Sequence, residues 1–283
     1  MKNRVIILFY IMIPILFFIS GWVLFNSEIR PKHYQLLFPY SIFHAEKMSI
    51  TQTRMGENNR LQILIPSGDS IVGKGAYQSQ IELQDFWIDQ ISVTTSSYKE
   101  FLSKKKGLAP RYHDEYEMFW LEKKYEIFPV VFVSWGQAES YCEYYGGHLP
   151  TEAQWEKAAR GTEGIILYWD DNETKAYNKA NYDGFYSEKT PAGWLIRGAG
   201  PYGVLDMAGN VREWCLDWLV TDDQPVNTND WKEIRDMKIK NQGRILKGGS
   251  FVDDVSHLRL FNRDFHVPNS PGNNRGFRCV YEK

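Results

Sequence analysis

The sequence predicts a domain of mixed helices and strands with little regular secondary structure, placed behind an N-terminal apolar segment. Three observations indicate this: strand patterns are short, two helices carry clear start signals, and most of the second half of the chain consists of turns and aromatic residues. The 283 residues include 10 Trp, 17 Tyr and 16 Phe. Such a supply of rings suits a core that aromatic side chains fill.

The strand patterns lie mainly in the first half of the domain. Alternating apolar residues over 61–73 predict a strand that breaks at Pro66, and residues 81–89 predict a second strand. The run PVVFVSW at 129–135 predicts a buried strand that leads directly into a helix.

Two helix predictions follow that run. The first helix covers residues 136–145 and is closed by Gly146, because glycine tolerates the left-handed conformation at a helix end. The second begins at Thr151, which forms a capping box with Gln154, and ends at Gly161.

The composition excludes several classes of protein. With 33 Lys+Arg against 35 Asp+Glu, the formal net charge is −2, so the chain lacks the cationic surface that nucleic-acid binding requires. Charged residues at 24% and hydrophobic residues at 43% are typical of a folded chain. Three cysteines are too few for a disulfide-built scaffold or a cysteine-rich zinc array.

The N-terminal segment of 21 uncharged residues predicts a membrane anchor. As a helix it would reach about 30 Å, the thickness of one bilayer core. Lys2 and Arg4 precede it and favour a cytoplasmic N-terminus. A cleaved signal peptide and a buried core helix are the alternatives. The expected order is a cytoplasmic tip at 1–4, a transmembrane anchor at 5–25, a stalk at 26–59, and an extracytoplasmic domain at 60–283, periplasmic if the protein is bacterial.

Five blocks of sequence carry a family resemblance. In order, they are FWIDQISVTTSSYKEFL, FPVVFVSWGQAESYCEYYGGHLPTEAQWEKAARG, YGVLDMAGNVREWCLDW, GRILKGGSF and GNNRGFRC. Together they resemble the sulfatase-modifying-factor family, whose fold is that of the formylglycine-generating enzyme. The resemblance covers residues 61–283 and implies an α+β, C-type-lectin-like variant fold. This fold hosts oxidases, sulfoxide synthases, pyoverdine-maturation proteins and binding proteins without chemistry, so it does not decide the activity.

The resemblance also implies structural calcium. Calcium prefers carboxylate and carbonyl oxygens on a loop that curls around it. Tight hydrogen-bonded turns are the alternative at both places, because Asn-x-Asp-Gly is a common turn. The first site would use the side chains of Asp206 and Glu213 with the carbonyls of Gly209 and Val211, and the second would use Asn181, Tyr182, Asp183 and Phe185.

The copper ligands of the family are missing. Formylglycine-generating enzymes hold copper through two cysteines shortly after the GGS block. Here the first position is Asp253 and the second is Val255 or Leu258, and none of these supplies the thiolate that Cu(I) needs. The Trp of the family's oxygen pocket is Arg212 here. We therefore expect no copper and no formylglycine generation.

A candidate pocket of polar residues remains around the GGS block. One interpretation is a peptide- or anion-binding groove, and the other is that the arginines bind buried carboxylates that organise the fold. A metal bound by Asp253, Asp254 and His257, with His266 nearby, is a third, although solvated loop residues explain that spacing more simply. The pocket candidates are Ser250, Asp253, His257, Arg212, Arg259 and Arg263.

The cysteines favour folding over chemistry. The family commonly joins the positions of Cys142 and Cys279 by a disulfide, which the resemblance implies here. Closing a loop of that length would stabilise the fold by several kcal/mol in the chain-entropy model, and it suits an oxidising compartment. Cys215 is left as a buried small side chain or, alternatively, a reactive thiol.

The sequence therefore predicts a membrane-anchored extracytoplasmic domain that binds a peptide, glycan or partner protein and helps mature or assemble an envelope component. The alternative is an oxidoreductase of the same family that modifies a peptide or small molecule with a non-copper site. A hypervariable ligand-display protein is a third hypothesis.

Overall fold

The computed structural model describes residues 52–105, 120–169, 176–219, 228–237 and 243–283. The predicted cytoplasmic tip and anchor, and residues 26–51 of the predicted stalk, lie outside the described residues. Within the described ranges, no helix combines the length and the apolar character needed to cross a bilayer.

The described residues contain short elements, as the sequence predicts. The helices are α1 Thr95–Lys105, α2 Trp135–Tyr144, α3 Glu152–Arg160 and α4 Trp231–Asp236. The strands are β1 Thr53–Met55, β2 Leu61–Ile65, β3 Gly68–Val72, β4 Ser79–Leu83, β5 Phe86–Asp89, β6 Arg212–Trp218, β7 Arg244–Lys247, β8 Asp264–His266, β9 Arg275–Gly276 and β10 Val280–Glu282.

These strands form three small sheets. The first has the order β1-β2-β5-β10, the second is the β3-β4 hairpin, and the third has the order β8-β7-β6-β9. All pairs are antiparallel except β6 with β9. Because β1 pairs with β2, the first sheet already includes Thr53, inside the segment that the sequence pattern assigns to the stalk.

Two strand predictions need correction. The predicted strand at 81–89 is divided between β4 and β5, which belong to different sheets. The predicted strand at 129–135 is irregular: Val130 N–H donates to the Val93 carbonyl, Phe132 N–H donates to the Gly272 carbonyl, and Phe132 has a φ of 61°. That positive φ takes the chain out of the extended conformation, so a regular ladder cannot form.

The helix predictions are confirmed at the ends of α2 and α3. Thr151 and Gln154 form the predicted capping box, and Gly161 ends α3 with a φ of 66°. A second capping box, which the sequence analysis missed, joins Ser134 and Gln137 at the start of α2. Its signal is the same Ser/Thr-x-x-Gln pattern.

Aromatic rings fill much of the core. Tyr98 stacks on Tyr141 with centroids 5.7 Å apart, and Phe277 meets both rings edge-on. The disulfide between Cys142 and Cys279, whose sulfurs are 2.02 Å apart, lies in the same cluster and confirms the predicted pairing. The disulfide connects α2 to the segment before β10, so the end of the chain is held to the helical side of the domain.

A buried ion-pair network lies beneath the GGS block. Lys247 Nζ contacts Glu156 at 2.7 Å and Glu152 at 3.3 Å, and Arg263 Nη2 contacts Glu152 at 2.6 Å. Asp217 Oδ2 accepts a hydrogen bond from the Glu152 N–H at 2.6 Å. Because Lys247 immediately precedes Gly248, the network fixes where the GGS loop starts.

This network predicts a measurable pH dependence of stability. Burial raises the pKa of Asp217 from 3.8 to about 7, and the nearby Glu152 carboxylate adds to the rise. The folded state therefore binds a proton more tightly than the unfolded chain, so this group's contribution to stability falls as pH rises from about 4 to about 7. We expect Asp217→Asn to remove that slope, roughly 1.4 kcal/mol per pH unit at most.

The measurement is the free energy of unfolding of both proteins between pH 4 and 8. The exposed Asp236 gives a matched control, Asp236→Asn, whose difference from the parent should stay flat over this range. A parent and an Asp217→Asn variant with parallel profiles would contradict the assignment.

Candidate functional site

Glu213 and Arg278 form a buried ion pair at the first predicted calcium site. Arg278 Nε and Nη2 contact the two Glu213 oxygens at 2.6 and 2.9 Å. Ser92 Oγ donates to Oε1 at 2.6 Å, and the Trp155 indole N–H donates to Oε2 at 2.8 Å. Each carboxylate oxygen thus accepts two hydrogen bonds.

Asp206, the other predicted side-chain ligand of the first site, also has a protein partner. Its Oδ2 accepts the N–H of Gly193 at 2.6 Å, and burial raises the pKa of Asp206. Because the guanidinium of Arg278 already neutralises Glu213, and no lone pair of that carboxylate is free, Glu213 does not fit the role of a calcium ligand in this geometry.

The second predicted calcium site offers unsatisfied oxygens. Asn181 Oδ1 and Thr190 Oγ1 are buried and have no hydrogen-bond partner in the described part of the chain. Asn210 joins their two segments: its N–H donates to the Asn181 carbonyl at 2.8 Å, and its Nδ2 donates to the Thr190 carbonyl at 3.2 Å. Orphaned buried oxygens are the kind of donor that a hard cation satisfies. Asn181 therefore fits the predicted role.

The remaining predicted ligands of the second site lie in the adjoining turn. Asp183 is exposed, has a φ of 55°, and accepts a hydrogen bond from the Tyr177 hydroxyl at 3.3 Å. The N–H of Phe185 donates to the Tyr182 carbonyl at 3.1 Å, as in a tight turn. The N–H of Asp183 donates to the Asp253 carbonyl at 2.7 Å, so this turn borders the position of the missing copper ligands.

Three of the predicted pocket residues come together there. Arg212 Nη2 contacts Asp253 Oδ1 at 2.7 Å, and the Ser250 hydroxyl donates to Asp253 Oδ2 at 2.6 Å. Arg212 Nε also contacts Asp264 Oδ2 at 2.7 Å, and Asn274 Nδ2 donates to Ser250 Oγ at 3.3 Å. We call Arg212, Ser250, Asp253, Asp264 and Asn274 the Asp253 cluster.

The other three predicted pocket residues do not join this cluster. His257 is exposed and pairs with Asp254 at 3.3 Å, which agrees with the solvated-loop alternative. Arg263 belongs to the buried ion-pair network, which agrees with the structural interpretation of the arginines. Arg259 is partly buried outside the Asp253 cluster.

The sequence analysis missed Asp264 and Asn274. Their membership follows from strand register: Asp264 is paired with Leu246 across β7 and β8, and the Asn274 carbonyl accepts the N–H of Arg212. No local sequence pattern pointed to them.

Cys215 does not contribute a reactive thiol. Its side chain is fully buried, and burial raises the pKa of the thiol well above its ordinary value. A neutral, inaccessible thiol is a poor nucleophile and a poor ligand, so the structure agrees with the interpretation of Cys215 as a buried small side chain.

The fold defines a formylglycine-generating-enzyme-like domain, in which the charged Asp253 stands where the family resemblance places the first copper cysteine. The chain belongs to the family of the sulfatase-modifying factor enzyme 1-like domain, whose model matches residues 47–283. The resemblance seen in the five sequence blocks is therefore confirmed.

Three proteins with sequences similar to this chain carry different names. The inactive C-alpha-formylglycine-generating enzyme 2 of Bos taurus is 28% identical, over 78% of this chain and 85% of its own. The formylglycine-generating enzyme of Thermomonospora curvata is 33% identical, over 54% of this chain and 55% of its own. The serine/threonine-protein kinase pkn1 of Chlamydia caviae is 31% identical over 71% of this chain, which spans only 34% of the kinase sequence.

Solved structures show the same fold. PvdO from Pseudomonas aeruginosa matches with a TM-score of 0.64 and 19% identity, covering 84% of this chain and 100% of that one. CarF matches with a TM-score of 0.58 and 20% identity, covering 80% and 99%. The described residues share the mixed helix and sheet content of these neighbours.

The Glu213–Arg278 pair gives a prediction about stability. Removing one partner of a buried pair leaves an uncompensated charge, which costs about 3–5 kcal/mol. We expect Arg278→Met to destabilise the fold by that amount, measured as the free energy of unfolding in urea.

The matched control is an exposed pair, Lys104 with Glu100. Lys104→Met should leave the free energy of unfolding nearly unchanged, because solvent screens exposed pairs. Similar effects of the two substitutions on the free energy of unfolding would show that the buried Glu213–Arg278 pair stabilises the fold no more than an exposed pair does.

Proposed function

We propose that this chain is a membrane-anchored, extracytoplasmic domain with a C-type-lectin-like variant fold that binds a peptide or protein segment instead of generating formylglycine. Its partner is an envelope protein or peptide whose maturation or assembly it supports. One observation carries the proposal. The residues at the family's Trp position and first copper-cysteine position, Arg212 and Asp253, contact each other at 2.7 Å.

The thiol inventory supports the absence of copper chemistry. The chain has three cysteines. Two form the Cys142–Cys279 disulfide, and the third is the buried Cys215. Cu(I) prefers thiolate ligands, and none of these sulfurs lies in the Asp253 cluster. The similarity to a relative that is named inactive points in the same direction.

Two features support an extracytoplasmic compartment. The predicted anchor at 5–25 with Lys2 and Arg4 before it favours a domain outside the cytoplasm. The disulfide suits an oxidising compartment such as the periplasm. Both features are consistent with a domain that meets its partner at the cell envelope.

The alternative is an oxidoreductase with a non-copper site. Such an enzyme needs its own set of metal ligands or a bound cofactor. Among the residues that the structure describes, no group of three His, Cys, Asp or Glu side chains is placed to hold a metal ion. We therefore prefer the binding function and use metal content to separate the two.

Cross-linking in the producing cells tests the binding function. A photoreactive phenylalanine analogue is placed at Val252, which is 55% exposed and adjoins Asp253, or at Met55, which is 58% exposed on β1. We expect irradiation to give a discrete adduct with an envelope protein or peptide from position 252 and none from position 55.

Mass spectrometry of the adduct identifies the partner, and metal analysis of the purified full-length chain accompanies it. An absence of adducts at Val252, together with stoichiometric iron or copper, would favour the oxidoreductase alternative. We call the surface around the Asp253 cluster, including Val252, the Asp253 face. Adducts of equal strength at both positions would show that the contact is not specific to the Asp253 face.

We also propose that calcium binds at the Asn181 segment. The unsatisfied Oδ1 of Asn181 and Oγ1 of Thr190 support this. The bound cation would hold the 181–190 turn against the 251–253 segment, which Asp183 already contacts. The first predicted site, with Asp206 and Glu213, stays a prediction that the Arg278 pair does not favour.

Metal removal tests the calcium proposal. At a concentration of 100 times Kd, a bound ion stabilises the folded state by about 2.7 kcal/mol, which corresponds to a rise in Tm of roughly 5–10 °C for a domain of this size. We expect calcium to raise the Tm of the chelator-treated chain, and Asn181→Ala to abolish the rise. The partly exposed control Asn262→Ala should keep it. A Tm that does not change when calcium is added would exclude a calcium site at Asn181.

A further inference from the structure

Two arginines from neighbouring strands lie side by side at the Asp253 face. Arg275 in β9 is paired in parallel register with Arg212 in β6. Residues that face each other across a strand pair project from the same side of the sheet. Arg212 is engaged by Asp253 and Asp264, both at 2.7 Å, whereas Arg275 forms none of the ion pairs found among the described residues.

The guanidinium of Arg275 has more N–H donors than the described residues have acceptors for them. It carries five N–H groups, and the described residues supply one acceptor for them, the Ser270 carbonyl, 2.7 Å from Nη1. The guanidinium lies against the bare backbone of Gly272, where an added Cβ would stand 3.0 Å from Nη1 and 3.1 Å from Cζ. This glycine leaves room for the planar group, so Arg275 is held in place while part of its edge stays accessible.

A second cation lies close to Arg275. Burial lowers the pKa of Arg275, the charge of Arg212 lowers it further, and the charge of Asp264 offsets part of this. His266 adds a third nitrogen-bearing group: burial lowers its pKa, with Arg275 as the next cause, and its Nδ1 is buried without a hydrogen-bond partner in the described part of the chain. An incoming anion would relieve the repulsion between the two guanidinium groups.

We propose that Arg275, supported by Arg212 and His266, forms an anion subsite that binds a carboxylate of the ligand at the Asp253 face. This inference rests on the proposed function, in which a peptide or protein segment binds there. A guanidinium fork matches a planar carboxylate with two parallel hydrogen bonds. A carboxylate suits the site better than a dianionic phosphate, because Asp253 and Asp264 are close to Arg212 and repel a second negative charge.

The carboxylate has two possible sources, an Asp or Glu side chain and a free peptide C-terminus. Two arrays of random heptapeptides separate them, one fixed through the N-terminus with a free C-terminal carboxylate and one fixed through an amidated C-terminus. The probe is the full-length chain in detergent, and selected peptides are then measured in solution. We expect binding to concentrate on Asp- or Glu-containing spots, on free C-termini, or on both.

One variant is expected to weaken peptide binding and another to strengthen it, so the test does not depend on folding alone. Arg275→Gln should weaken binding of the selected carboxylate peptides at least about tenfold through loss of the charge-assisted pair, and Arg275→Lys should fall between. Asp264→Asn removes a competing negative charge and should strengthen the same binding, which damage to the fold cannot mimic. Arg197→Gln, at an exposed site elsewhere, is the control and should leave binding unchanged.

The outcomes separate the two levels of the proposal. Peptide binding that does not depend on a carboxylate would overturn the anion subsite. Unchanged affinity in Arg275→Gln would do the same, and either result would still support peptide binding at this face. Binding that Asp264→Asn weakens as much as Arg275→Gln would also overturn the subsite. An absence of signal on both arrays, with no cross-linked adduct from Val252, would overturn the subsite and the binding function together.

Discussion

The buried pair of Glu213 and Arg278 is the contact on which the rest of this domain depends. Arg278 donates to both Glu213 oxygens and also to the backbone carbonyls of Asp89, Gln90 and Leu205. One guanidinium thus joins β6, the end of β5, and the loop before β6. In a fold with few long strands, such a centre replaces the ladders that would otherwise fix the loops, and it leaves no buried charge uncompensated.

A second set of buried charges fixes the candidate site. Lys247 joins α3 to β7 and stands immediately before the GGS loop, where Gly248 and Gly249 have φ values of 92° and 68°. The loop geometry therefore depends on ion pairs and glycines that take no part in copper binding. The shape of the GGS loop therefore does not depend on cysteine side chains.

The sequence predicted local features well and contacts between distant segments poorly. The capping box at Thr151 and the chain reversal at Pro66 depend on neighbouring residues, so their patterns were readable. The division of the 81–89 strand and the irregular course at Phe132 depend on partners far along the chain, and no local pattern reveals them. Likewise, Asp253 was picked out by its place after the GGS block, but its contact with Arg212 depends on the folded arrangement of β6 and that loop.

That contact also bears on how the site should be understood. By the family resemblance, Asp253 stands at the first copper-cysteine position and Arg212 at the position of the oxygen-pocket Trp. The side chains of Arg212 and Asp253 are 14% and 12% exposed and form an ion pair with each other. Restoring a cysteine at position 253 alone would leave Arg212 with a single carboxylate partner, Asp264. Arg212 and Asp253 are therefore energetically coupled, and together they form a polar surface that is suited to hydrogen-bonding ligands.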